Sequence, residues 1–306
     1  MSTSLRTQSL TALVVGIIVA GAGEMANAAD NFSAEIGIGG EYDSNVAVDE
    51  VDISSSESDY ALTLNAGLGY QQEVTEKTEV GLSYDYSQSI YNEFSQVDRQ
   101  THILGTNFDL ELNKVDTGIT FFYINSRLDG QPFLELYRVS PSASGFLSKK
   151  WFARGAYVYS EKMIENSEDR DATTNAGEGD VYYFRRGLRS YFNLGYRFRD
   201  EDATADRYDY KSNTVKLRYI HRLDMLSRTA KLELAWRYED RDYSSETPSI
   251  GEKRRDKRHR WRIDFELPLI AGSAVELYYG YADYESNLPQ AEYDQTLIGS
   301  RFIYRW

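Results

Sequence analysis

The residues able to do chemistry gather in the last third of the chain, where basic side chains recur two residues apart or a multiple of it. They are Arg197 and Arg199, Lys216 and Arg218, Lys231 and Arg237, Arg260 and Arg262, and Arg301 and Arg305. On a β-strand this spacing puts both members of a pair on one face. Glu233, Glu239, Asp264, Glu266 and Glu276 are interleaved with them. In the first third the corresponding face is small or acidic, with Glu35, Glu41 and Asp43, then Thr63, Asn65, Gly67 and Gly69, then Glu79, Ser83 and Asp85, then Asn107, Asp109 and Glu111. The chemistry this pattern offers is electrostatic selection rather than bond making. Two arrangements satisfy it. One is a water-filled passage with a transverse field. The other is a set of ion-pair ladders that fill the interior. Catalysis finds little support. The three histidines, His102, His221 and His259, are scattered, no Ser-His pairing is legible, and the absence of Cys removes thiolate nucleophiles, thiolate metal sites and disulfides. The expectation is a non-enzyme without cofactor or metal.

The elements that must carry these side chains are strands. Tyr60, Leu62, Leu64, Ala66, Leu68 and Tyr70 share one face, as do Phe192, Leu194, Tyr196 and Phe198, and again Trp261, Ile263, Phe265 and Leu267. Alternation of this kind, apolar on one side and polar on the other, recurs through the chain and is the pattern of a transmembrane β-barrel wall. The runs fall at 32–45, 58–71, 77–92, 98–113, 116–128, 131–143, 149–162, 175–187, 190–203, 207–221, 228–243, 254–268, 273–286 and 292–306. The fold class read from them is all-β, a transmembrane antiparallel barrel of fourteen strands. Twelve is the alternative, because 131–143 and 175–187 alternate poorly. Fourteen strands enclose more space than side chains fill, which favours a channel for small hydrophilic solutes. In that reading Arg197, Arg199, Lys216, Arg218, Arg237, Arg260, Arg262 and Arg301 form a basic wall opposite Glu35, Glu79, Asp85, Asp109 and Glu111.

The rest of the composition agrees. A mean hydropathy of −0.56 argues against a helical membrane bundle, but not against a barrel that shows lipid only alternate side chains. The 25 Tyr and 13 Phe suit aromatic girdles. A net charge of −14 argues against nucleic acid as a partner. Residues 1–28 read as a secretory signal peptide, with Arg6, an apolar stretch from Leu13 to Ala22 and the small-x-small site Ala26-Asn27-Ala28. Residues 29–306 are then the barrel, in the outer membrane of a Gram-negative bacterium. With the N-terminus in the periplasm, the longest connections, 46–57 and 163–174, fall outside. They are acidic, and are read as solvated beside lipopolysaccharide bridged by divalent ions. The segment expected to constrict the passage is 163–180, because Asn175-Ala176-Gly177-Glu178-Gly179 is glycine-rich.

Gly39-Gly40-Glu41-Tyr42-Asp43-Ser44-Asn45-Val46 resembles a signature near the start of several porin-like barrel families. The whole mature chain also resembles the barrel part of the surface lipoprotein assembly modifiers. That resemblance implies a fourteen-stranded barrel that helps move lipoproteins to the cell surface, usually behind a periplasmic helical-repeat domain, which is not expected here. Exopolysaccharide export is a related expectation. From the residues themselves, Asp43, Ser44 and Asn45 are expected to cap a turn at the outer rim. The ending with Phe302, Tyr304 and Trp306 resembles the C-terminal insertion signal of outer-membrane proteins. It implies periplasmic chaperones and the barrel-assembly machinery as partners, beside lipid, lipopolysaccharide and small solutes. The expected state is monomeric or loosely homo-oligomeric.

Overall fold

The computed structural model describes residues 31–306; the segment 1–28, expected to be a signal peptide, lies outside the described residues. The wall begins with β1 (Phe32–Asp43). Two short strands, β2 (Ala47–Val48) and β3 (Ile53–Ser54), form a small separate hairpin in the first long connection. The wall resumes with β4 (Asp59–Thr75), β5 (Thr78–Tyr91), β6 (Arg99–Leu112), β7 (Val115–Leu128), β8 (Gln131–Ser148) and β9 (Trp151–Ile164). It continues with β10 (Ala172–Phe184), β11 (Ser190–Ala203), β12 (Tyr210–Met225), β13 (Arg228–Thr247), β14 (Glu252–Pro268), β15 (Ser273–Ser286) and β16 (Tyr293–Arg305). These fourteen wall strands pair antiparallel with their neighbours and close into a barrel, with β16 against β1.

Closure places Ile38 opposite Phe302, Ile36 opposite Tyr304 and Glu35 opposite Arg305. The seam carries its own ion pairs. Arg305 Nε is 2.7 Å from Glu35, and Nη1 is 2.7 Å from Glu266 on β14. A closed barrel leaves no unpaired strand edge, which a lipid environment requires.

Side-chain parity follows the sequence reading. Ile36, Ile38, Leu62, Leu82, Leu104, Leu194, Ile298 and Phe302 are exposed on the outside. Glu41, Asp43, Thr63, Glu239, Arg254, Asp256 and Arg258 are buried inside. No helix among the described residues is long and apolar enough to cross a membrane; the strands make the crossing.

Both weakly alternating runs are wall strands. In β8, Pro141 has no N–H for the ladder, and the pairing with β9 lapses between Val139 and Ser142. That interruption explains the blurred alternation without removing the strand. The run expected at 175–187 is β10, which starts earlier, at Ala172. Asn175 to Gly179 therefore lie in the wall, paired with β9 and β11, and 163–180 is not the constricting segment. Its glycines are outward strand positions, and Glu178 between them is held by arginines from three other strands. The segment that folds inward is 44–58.

Candidate functional site: a latched strap over a charged chamber

The strap 44–58 is turned at its root by Asp43, Ser44 and Asn45. Asp43 Oδ1 accepts the Asn45 N–H at 3.0 Å, a short side chain closing a local turn. Gln295 Nε2 donates to both Asp43 oxygens and to the Asn45 carbonyl, each at 2.9 Å. Ser44 Oγ accepts the Thr296 N–H at 2.7 Å. Asn45 Oδ1 then accepts from Ser54 Oγ at 2.7 Å and from the Ser56 N–H at 3.0 Å, which ties the far end of the strap to its root. Asp52 and Ser56 take left-handed backbone angles (φ 55° and 57°) that tighten the hairpin.

The tip of the strap reaches both sides of the mouth. Glu50 meets Arg99 of β6 through two parallel hydrogen bonds of 2.8 and 2.9 Å. Asp52 meets Arg254 of β14 the same way, both at 2.9 Å, and Arg170 from the β9–β10 connection at 2.8 Å. Asp49 is 3.0 Å from Arg260 Nη2 and accepts from Tyr284 Oη at 3.2 Å and from Tyr293 Oη. Val48 packs on Phe133 and Ile164, with Val51, Val97, Leu128 and Leu134 around them. Paired guanidinium–carboxylate forks are the strong form of this interaction. Burial by itself would raise the Glu50 carboxyl, but the Arg99 guanidinium outweighs it and holds the pKa down at about 2. Burial opposes ionisation of Asp52 as well, and Arg254 and Arg170 hold it well below the usual carboxylate range. Arg254, 2 % exposed, is clasped between Asp52 and Asp256 and lies over the Tyr243 ring.

Beneath the strap is a chamber of about 380 Å³. Twelve Arg and Lys side chains line it against seven Asp and Glu, three of which belong to the strap. The basic wall takes its other carboxylates from neighbouring positions, not from across the lumen. Arg197 pairs with Glu178, Arg199 with Glu201, Arg218 with Glu233, Arg237 with Glu239, Arg262 with Asp264 and Arg301 with Glu276. Lys216 has no ion pair among the described residues, and Lys216, Arg237 and Arg260 stand directly opposite one another across β12, β13 and β14.

Of the acidic residues expected to face that wall, Glu79, Asp85, Asp109 and Glu111 gather on the adjacent strands β5 and β6, and Asp109 lies within electrostatic reach of Arg154. Glu35 joins Arg305 at the seam. Glu79 stands opposite Asp109 on the neighbouring strand, Glu111 opposite Asp116, and Asp85 lies beside Gly67. These positions are filled out by small residues such as Gly81, Gly105 and Gly118. Phe302 and Tyr304 face outward, and Tyr304 packs on Trp306 with ring centroids 5.4 Å apart. The three histidines are also on the outer face, packed against Tyr84 and Tyr86, against Tyr219, and against Tyr238 and Trp261. Among the described residues no group of three His, Asp or Glu is placed to hold a metal.

Two features were missed by the sequence reading. The strap acids were read as solvated, although Val48 and Val51 beside them were a sign that this connection buries something. A lumen-facing aromatic cluster at the short-turn end, Phe152, Phe184, Tyr182 and Tyr191, interrupts a face expected to be polar.

A closed antiparallel barrel, apolar outside and charged inside, with fourteen strands and short turns at the end where β1 begins and β16 finishes, defines an outer-membrane β-barrel of the Gram-negative type. Within that class the chain belongs to the surface lipoprotein assembly modifier family, whose model matches residues 26–300. Solved structures share the fold at low identity. OmpT of Vibrio cholerae superposes with a TM-score of 0.52 at 8 % identity, covering 90 % of this chain and 96 % of that one. The anion-selective porin of Comamonas acidovorans gives 0.50 at 8 %, covering 90 % and 98 %. CdiB of Acinetobacter baumannii gives 0.50 at 10 %, covering 89 % of this chain and 60 % of that one. A comparison with curated proteins finds no match.

Proposed function

We propose that this protein is a translocation barrel for the surface assembly of lipoproteins, held shut at its outer mouth by the strap and opened when the strap is displaced. The observation that carries the reading is the latch: three acidic side chains of one connection, bound by Arg99, Arg170, Arg254 and Arg260 from separate parts of the rim. A freely diffusing solute gains nothing from such a closure, whereas a device that opens for cargo needs a resting closure that can be released. Membership of the family supports lipoproteins as that cargo. In this reading the basic wall, Arg197, Arg199, Lys216, Arg218, Arg237, Arg260, Arg262 and Arg301, screens what enters once the strap has moved. A second reading, passive diffusion of small anionic solutes past the strap, is favoured by the positive surplus of the chamber. The test is surface display. Cells lacking the protein should lose protease-accessible lipoprotein at the surface and regain it with the wild-type chain. They should not regain it with a variant in which the strap is fixed by a Val48→Cys and Phe133→Cys disulfide, until a reductant is added. Unchanged display in the deletion strain would contradict the reading.

A further inference from the structure

One cluster in the chamber is left unexplained by the strap. Arg138 of β8, Arg154 of β9, Arg197 of β11 and Lys216 of β12 surround Glu178 of β10. Arg138 Nη2 is 3.3 Å from Glu178 Oε1, Arg197 donates to the same oxygen, and Arg154 Nη1 lies 4.0 Å from Oε2. Lys216 is within electrostatic reach of Glu178 without forming an ion pair. The Nε groups of Arg138 and Arg197 are buried with no acceptor. Asp180, the next carboxylate inward on β10, accepts from Asn193 at 3.3 Å. Even with Asp180 counted, and with Asp109 of β6, which lies within electrostatic reach of Arg154, four cations face three carboxylates. Lys216 also stands directly opposite Arg237, and like charges opposed on a sheet are destabilising. Buried cations short of partners cost still more. The cluster is therefore incomplete by itself, and the missing component is negative charge.

We infer that Arg138, Arg154, Arg197 and Lys216 form a binding site for a phosphate-class oxyanion carrying two or more negative charges. Guanidinium forks match the oxygen spacing of such a group, and the lysine supplies a point charge beside them. The chamber is within the size range of small-molecule sites. Glu178 holds the arginines in place while the site is empty, and it competes with the ligand when one arrives. The site does not depend on the strap acting as a gate, because none of its four cations is an ion-pair partner of the strap.

Isothermal titration of the refolded barrel in a non-ionic detergent provides the test. Sodium pyrophosphate and, separately, water-soluble dihexanoyl phosphatidic acid are the probes. Saturable binding of pyrophosphate supports a free oxyanion, and binding of phosphatidic acid alone supports the same site serving a lipid headgroup. Lys216→Gln removes no ion pair and should fold normally; it should weaken binding about tenfold, the loss expected for one charged hydrogen bond. Glu178→Gln should strengthen binding by removing the competing carboxylate. A barrel whose strap has been excised should bind as the wild type does. No saturable binding of either probe, or wild-type affinity in Lys216→Gln, would overturn the inference.

Discussion

The two halves of the lumen are built on different rules. From β8 to β14 the inner face is dense in arginine, most of its cations are paired with a carboxylate nearby, Lys216 is not, and Asp49 and Asp52 of the strap are among those carboxylates. From β4 to β7 the inner face is mostly glycine, serine, threonine and asparagine, with Arg99 at the rim, a small apolar cluster of Ile103, Phe122 and Ile124, and a few acids, two of them standing opposite other acids. The first half is crowded and cross-linked by charge; the second is smooth. An acidic segment attached to the smooth side therefore has a reason to cross the mouth, since the positive surplus lies beyond it. Charge asymmetry visible in the sequence thus becomes a mechanical feature, a strap drawn over the lumen, in addition to a field within it.

The largest expected effect breaks this comparison at Arg254. Arg254→Ala leaves buried Asp52 ion-paired to Arg170 alone and buried Asp256 ion-paired to Arg258 alone, and losing one partner of a buried pair costs up to about 3–5 kcal/mol. The strap should undock, read as rapid proteolytic cleavage within 46–57 while the barrel itself stays folded. Cleavage no faster than wild type would show that Arg254 is not the latch.

A smaller effect is expected at Arg99. Arg99→Lys keeps the charge but loses the two-pronged geometry with Glu50, a loss of about 1 kcal/mol. A spin label on the strap should show a partly mobile population, and a fully docked spectrum would count against the fork.

Acid should act on the same latch. Glu50 and Asp52 have depressed pKa values when docked, so their contribution is complete above the ordinary carboxylate range of about 4. It is lost as the pH falls toward about 2, the docked value of Glu50. Label mobility should stay constant from pH 7 to pH 5 and rise below about pH 4; release already at pH 6 would assign the latch to other groups.

The smallest effect sharpens the comparison from outside. Lys211 and Asp200 pair on the exposed outer face at 3.4 Å, and Lys211→Ala should change thermal stability by less than about 0.5 kcal/mol. A larger change would show that charge on the outer surface matters as much as charge in the lumen.

What the sequence made legible is what local periodicity encodes. Fourteen wall strands, their parity and their order follow from alternation, because each strand needs only its own pattern to decide which face meets lipid. The parity of Arg260 and Arg262 was readable for the same reason. The strap was not, because its partners are distant: Asp52 binds Arg254 and Asp49 binds Arg260, each more than two hundred residues away. No pattern within 44–58 specifies which arginine across the lumen will hold it. Glycine at 177 and 179 misled in the opposite direction. In a strand, glycine on the outer face needs no flexibility if the ladder on both sides is intact, and here it is. The signature Asp43-Ser44-Asn45 was read as a turn cap; its hydrogen bonds also fix where the strap leaves the wall, which depends on Gln295 and Thr296 at the other end of the chain.

Single-channel recording on the refolded protein in planar bilayers tests the strap most directly. The wild-type barrel should be nearly silent at neutral pH. Replacing 46–57 by a short Gly-Ser link should give stable steps of severalfold larger conductance, with reversal potentials showing anion preference from the exposed basic wall. Equal conductance with and without the strap would contradict the account.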